Sequence, residues 1–286
     1  MAHNGGLVRI REAMPSIKRA ERNAARYILE HPEKVITMSV KQLADASGSS
    51  QAAIIRMCKG IGLEGFQELK VRIAGDLQMR DQSNTKTYQE IRADDGAEVL
   101  MRNISENNIF SIKETLHILD EEAISKAIQA LHRAERIEFY GAAASQLIAQ
   151  DAQQKFIRIN KPCTAYQDMH MQITSSVTLT SEDVAFAISY SGETRHILHA
   201  IQNAKKRGVT TIALTRYGSN SLSDLVDIPL YTSSSEAEIR SSASSSRIAQ
   251  LNVIDILFTG VAAINYDESV DYLNETREAL RKEFRE

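Results

Sequence analysis

Apolar residues along this chain follow two different rhythms, and the change comes near residue 135. Ala20, Ala24, Tyr27, Ile28 and His31 recur at helical spacing, and Pro32 ends that helix. The stretch from Ser39 to Lys59 then predicts two short helices around a tight turn. Ser39 can cap the first helix, Leu43 faces a core, and small Ala44 admits a close crossing. Gly48 takes the turn, where a positive φ costs least without a Cβ. Ser49 or Ser50 caps the second helix, which buries Ile54 and Met57 and turns Gln51, Arg56 and Lys59 to solvent. Gly60-Ile61-Gly62 closes it, and Phe66, Leu69 and Val71 open a further helix packed behind the pair.

Residues 79–96 are polar and aperiodic and read as a linker. A long amphipathic helix is predicted from Ala97 to about Leu119, with Val99, Leu100, Ile104, Ile109, Ile112, Leu116 and Leu119 as its apolar stripe. Asp120 caps another that runs through Ile124, Ile128 and Leu131. Both are expected to pack on the second domain or to form a dimer seam.

From residue 136 the rhythm becomes that of strands alternating with helices. Strands are predicted at 136–140, 163–167, 184–189, 210–215 and 228–231, with helices at 145–159 and 194–207. Such alternation implies an α/β fold, a parallel sheet between two layers of helices, with ligands bound beyond the carboxyl ends of the strands. The expected organisation is an all-α DNA-binding domain over 1–78, the linker over 79–96, and a three-layer α/β/α domain with flanking helices over 97–286.

Composition narrows this picture without changing it. Hydrophobic residues make up 43% and charged residues 25% of 286, as in ordinary globular chains, and the length suits two domains. The apolar runs at 184–188 and 260–264 fall short of the roughly 20 residues of a membrane span. Residues 1–6 lack the basic start and apolar stretch of a signal peptide, so a cytoplasmic protein without membrane association is expected. Cys58 and Cys163 fit no metal spacing and read as buried thiols; neither a metal nor a cofactor is expected. Charge is more telling: residues 1–80 hold 13 Lys/Arg against 8 Asp/Glu, while 81–286 hold 21 against 29. The first end is suited to a polyanion, and the second must bind any anion through local geometry.

In that basic end the paired helices have the form of a helix-turn-helix, whose second helix enters the major groove. A plain helical hairpin with a solvated face shares the spacing, and the basic excess favours DNA. Ser49, Ser50 and Gln51 begin the groove helix, and the Gln51 amide can bond adenine bidentately. Arg56, Lys59 and Lys70 are expected on phosphates. A palindromic operator calls for two copies, hence a homodimer or homotetramer.

The acidic end carries Ser189-Tyr190-Ser191-Gly192-Glu193-Thr194 where a strand passes into a helix. Gly192 permits the turn, the helix start offers N–H groups, and the hydroxyls of Ser189, Ser191 and Thr194 add donors, which together can cradle a phosphate. Ser145, after Gly141-Ala142-Ala143-Ala144, brings another hydroxyl to the same edge, although taken alone it reads better as a simple cap. The loop is neither a Walker motif nor a dinucleotide fingerprint.

These residues carry a resemblance. Ser-x-Ser-Gly-x-Thr at a strand-to-helix turn is similar to the phosphosugar signature of the sugar isomerase (SIS) domain. With the helix-turn-helix and the stretch from Arg56 to Lys70, nearly the whole chain resembles the RpiR family of bacterial transcription regulators, its MurR-type members above all. The resemblance implies an operator-binding regulator whose DNA affinity answers to a phosphosugar, with N-acetylmuramic acid 6-phosphate foremost, held by Ser145, Ser189, Ser191 and Thr194. It places Glu238 where SIS enzymes keep an acid or base, with Arg240 and Arg247 following on a long helix; His170 lies beside the expected pocket. Family members commonly have a glycine where this chain has Ala143, whose methyl would crowd a ligand. The rival class is a phosphosugar isomerase or amino-sugar lyase using Glu238 as base, but no second acid–base residue stands out, and no catalytic residue is expected.

Overall fold

The computed structural model describes residues 5–82, 95–233 and 244–283. It divides into two compact units. The first runs through Ile118 and also takes in Tyr217–Ser219 and Ser233; the second begins at Leu119. The sequence boundary at 96/97 and this one therefore differ by one long helix.

In the first unit the helices are α1 (Gly6–Ala13), α2 (Arg19–Glu30), α3 (Pro32–Val35), α4 (Val40–Ser47), α5 (Gln51–Gly60), α6 (Phe66–Gln82) and α7 (Ala97–Ile118). Ile28, Leu43, Ile54, Met57, Leu69 and Ile73 are almost wholly buried and form one core with Ile10 of α1. Two expectations fail at single positions. Ala20 is exposed while its neighbour Glu21 is buried, and Val71 is 49% exposed while Ile73 takes its place in the core. The spacing 66, 69, 73 keeps one face of α6 inward, and Val71 lies off it. α1, which the apolar pattern did not flag, supplies Leu7, Val8, Ile10 and Ala13 to the interior.

The larger correction concerns α7. Of its expected apolar stripe, Ile104 is 39%, Ile109 50% and Leu116 65% exposed, and Val99, Leu100, Ile112 and Leu119 are only half-buried. The buried stripe is polar instead: Asn103, Asn107, Ser111 and Thr115, spaced four residues apart. A buried polar side chain needs a partner. Thr115 has one in Ser233, whose N–H donates to Thr115 Oγ1 at 3.0 Å, and the Ser233 hydroxyl donates to Glu12 at 2.8 Å.

The second unit contains α8 (Glu121–Arg133), β1 (Ile137–Gly141), α9 (Ala144–Ile157), β2 (Cys163–Thr164), α10 (Met169–Ser176), β3 (Val184–Ile188), α11 (Arg195–Lys206), β4 (Thr210–Arg216), β5 (Ile228–Thr232), α12 (Ser244–Ile264) and α13 (Tyr266–Glu283). The five strands form a wholly parallel sheet in the order β2-β1-β3-β4-β5, the architecture expected. Side chains alternate between its faces. Ile137, Phe139, Phe186, Ile188, Ile212 and Leu214 meet α8, α9 and α12, with the Phe139 ring 5.6 Å from Phe186 and 5.7 Å from Phe156. On the other face, small Ala185, Ala187 and Ala213 let Ile197, Ala200, Ile201 and Ala204 of α11 approach closely. By length and composition Ser246–Ile264 could pass for a membrane span, which run length alone had not revealed. Val253, Ile254, Leu257 and Val261 of this helix are buried in this core, and about a third of that stretch is buried in all.

Candidate functional site

In the first unit, α4 and α5 meet in a turn built by local chemistry. Ser39 and Gln42 form a reciprocal cap, the Gln42 N–H donating to Ser39 Oγ at 3.2 Å and the Ser39 N–H to Gln42 Oε1 at 2.8 Å. Gly48 ends α4 at φ 65°, in the left-handed region where a side chain is costly. Of the two candidate caps for α5 it is Ser50 that acts, accepting from the Ala53 N–H at 3.2 Å. Gln51, Arg56 and Lys59 are exposed on α5 opposite buried Ile54 and Met57. Arg56 Nε lies 3.3 Å from Glu21 Oε1, so buried Glu21 steers a guanidinium that remains largely solvent-exposed. Lys70 sits on α6, its ammonium 5.6 Å from the centre of the Phe66 ring.

In the second unit, β1 and β3 pair side by side with Gly141 opposite Ile188. After β1 the chain turns to β2 on one side, and it then continues through β3 on the other. This order creates a switch point between β1 and β3, where an open α/β sheet binds ligand beyond its strand ends. Both hydroxyl-bearing loops leave the sheet there: Ser145 lies in the first turn of α9, and Ser189 to Thr194 run from β3 into α11. Ser189 Oγ and Thr194 Oγ1 are 3.0 Å apart, and the Glu193 N–H donates to Ser191 Oγ at 3.2 Å. Thr194 is the N-cap residue of α11 but makes no side-chain cap bond, which leaves its hydroxyl on the Ser189 side. The unpaired N–H groups of a helix start attract anions.

Asn220 and Glu193, which hold this loop, and Gln172, which holds the first, escaped the sequence reading. Gly192, at φ 71°, lies so close to buried Asn220 that an added Cβ would sit 1.9 Å from Asn220 Oδ1. Glu193 accepts from the Ser221 N–H at 2.9 Å and hydroxyl at 2.7 Å, bonds that hold its carboxyl below the usual range, the backbone one foremost. Gln172 does the same for the first loop, its amide nitrogen 2.9 Å from the Gly141 carbonyl and 2.7 Å from that of Tyr166. Only the turn-like Gly218-Ser219-Asn220 hinted at any of them. His170 lies two residues before Gln172 near the start of α10 and is exposed. Glu238 and Arg240 lie outside the described residues, and Arg247 is in the first turns of α12.

Ala143 occupies the glycine position in a manner that only glycine favours, with φ 48° and ψ −118°. Backbone strain of this kind costs about 1–3 kcal/mol. Ala143→Gly is therefore expected to raise the unfolding free energy by about 1 kcal/mol, net of the added freedom of glycine in the unfolded chain. Urea titration followed by circular dichroism checks this, and a loss of stability would refute the strain argument.

A basic helix-turn-helix and an α/β unit with a hydroxyl-lined switch point define a class, that of DNA-binding regulators with a SIS domain. The helix-turn-helix domain of the rpiR family matches residues 4–80, and the SIS domain matches residues 130–260. A helix-turn-helix transcriptional regulator of Caldanaerobacter subterraneus is 49% identical over 95% of each chain, and YbbH of Bacillus subtilis is 41% identical over 97% of each. Among solved structures, the Vibrio vulnificus NanR protein complexed with ManNAc-6P is 25% identical, with a TM-score of 0.62 over 98% of this chain and 100% of that one. The chain belongs to the rpiR family of helix-turn-helix transcriptional regulators.

Proposed function

We propose that this regulator binds a palindromic operator as a homodimer or homotetramer in the cytoplasm, and that a phosphosugar in its SIS domain sets its operator affinity. The observation that carries the reading is the meeting of the Ser145 and Ser189–Thr194 loops at the β1/β3 switch point, in a chain that also carries a complete helix-turn-helix. In this reading Ser145, Ser189, Ser191 and Thr194 hold the phosphate, and His170, Glu238 and Arg240 contribute to the sugar side. Ser49, Ser50 and Gln51 start the groove helix, and Arg56, Lys59 and Lys70 hold DNA phosphates. The working domains are 1–78 for DNA and 97–286 for the effector, joined by 79–96. N-acetylmuramic acid 6-phosphate is the first effector to test. The N-acetylmannosamine phosphate bound by the NanR neighbour supports an amino-sugar phosphate of some kind. Turnover is not part of the reading, and relatives named as regulators support that.

The test uses DNA duplexes selected by the protein from a random pool, with N-acetylmuramic acid, N-acetylmannosamine and glucosamine 6-phosphates as effectors. One of them should change operator affinity by about 5- to 150-fold, the usual range of allosteric coupling. Lys59→Ala should weaken all duplexes alike and lower the salt slope by about one, whereas Gln51→Ala should relax preference at one base pair. Unaltered DNA binding in both variants would refute the groove assignment. Robust conversion of one of the sugar phosphates would favour the isomerase or lyase reading instead.

A further inference from the structure

The connection between β4 and β5 belongs to both units. Tyr217–Ser219 fold with the first and Asn220–Thr232 with the second. Each part is bonded within its own unit at a functionally exposed point. At the near end, the Tyr217 hydroxyl donates to the Ile61 carbonyl at 2.6 Å and accepts from Arg9 at 2.5 Å, and the Arg9 guanidinium carbon stands 5.0 Å from the centre of the ring. Ile61 is the C-cap residue of α5, the helix assigned to the major groove. The next residue, Gly62, has φ 71°, and a Cβ there would stand 3.3 Å from the Tyr217 hydroxyl. Tyr217 is thus seated on the end of the groove helix, and burial raises its phenol pKa so that it stays a neutral donor.

At the far end, the same segment grips the hydroxyl loop. Ser221 bonds both carboxylate oxygens of Glu193, the Leu222 N–H donates to the Gly192 carbonyl at 3.0 Å, and Asn220 packs against Gly192. Asn220 is itself fixed, its amide nitrogen 3.2 Å from Thr215 Oγ1 and its Oδ1 accepting from the Ser223 N–H at 2.9 Å. The Ser189–Thr194 loop is therefore held, through Glu193 and Gly192, by Ser221, Leu222 and Asn220. Only Gly218 and Ser219 separate Tyr217 from Asn220.

We infer that the segment Tyr217–Leu222 is the element that transmits occupancy of the hydroxyl loop to the C-terminal end of the groove helix, with Tyr217 and Ser221 as its positioning residues. The inference rests on the operator and phosphosugar reading above. Neither residue need touch sugar or DNA. Their role is to make one arrangement of the loop favour one placement of α5, which is the differential contact that coupling requires.

Tyr217→Phe keeps the ring over Arg9 and removes only the hydroxyl bonds; Ser221→Ala cuts the other end. For the wild type and each variant, two quantities are measured separately: the Kd for N-acetylmuramic acid 6-phosphate and for N-acetylmannosamine 6-phosphate by calorimetry, and the selected duplex Kd with and without each at saturation. The readout is the ratio of the two duplex constants, which a merely structural weakening of DNA binding leaves alone. In the wild type the ratio should lie within about 5- to 150-fold, and in Tyr217→Phe it should fall below about twofold with the sugar phosphate still bound. Ser221→Ala should lower the ratio too. A full ratio in both variants overturns the transmission role while leaving the regulator reading intact. Failure of the wild type to bind either sugar phosphate removes that reading, and the transmission role with it.

Discussion

Gly192→Ala is expected to destabilise the SIS domain by about 3 kcal/mol, from two sources that a second variant can separate. The first is conformational: an L-residue held at φ 71° costs about 1–2 kcal/mol. The second is steric, since the new methyl would lie 1.9 Å from Asn220 Oδ1 and 2.3 Å from its Cγ. A flexible side chain would swing away, but Asn220 is buried and holds bonds to Thr215 and Ser223. Displacing such a group costs about 1–3 kcal/mol. Gly208 is the control, because its φ is 76° and an added Cβ would find nothing nearer than Ser181 Cβ at 4.0 Å. Gly208→Ala should therefore cost only about 1–2 kcal/mol in urea titration. Equal losses for the two variants would mean that Asn220 yields freely, and the loop would then not be clamped as described.

That comparison also shows where the chain could be read directly and where it could not. Ser39, Gly48 and Ser50 were legible because capping and positive φ act between residues a few positions apart. The parallel sheet was legible because strands buried on both faces leave continuous apolar runs, as Val184–Ile188 does. The hydroxyl loop could be located because a strand end, a glycine and a helix start lie in one stretch of sequence. By contrast, α7 departs from the apolar pattern, and its buried Thr115 pairs with Ser233, 118 residues further on. Glu21 is buried beside Arg56, 35 residues away, and Asn220 reaches back to Gly192. No periodicity encodes such partners. The part of the site most dependent on family resemblance, Glu238 and Arg240, falls outside the described residues.

The pair Ser189→Ala/Ser191→Ala should abolish effector-linked stabilisation while leaving a folded protein. In the free chain these hydroxyls do modest work: Ser189 bonds Thr194, and Ser191 accepts from the Glu193 N–H. Each such bond contributes about 0.5–1.5 kcal/mol net, so the double variant should unfold somewhat earlier but in one cooperative step. Bound phosphate is another matter, because it would draw on both hydroxyls and on the N–H groups at the start of α11. A sugar phosphate supplied at 100 times its Kd adds about 2.7 kcal/mol to the wild type. In the double variant the same concentration should add almost nothing. Ser145→Ala provides the graded comparison, since its loop adjoins the same switch point from β1 and its backbone start carries the strain at Ala143. A partial loss there, beside a complete loss in the double variant, assigns the phosphate to the β3 loop and leaves the β1 loop a supporting part. A full thermal response in the double variant would instead place the effector elsewhere in the SIS domain, and the hydroxyls of Ser189 and Ser191 would be left with capping and turn formation alone.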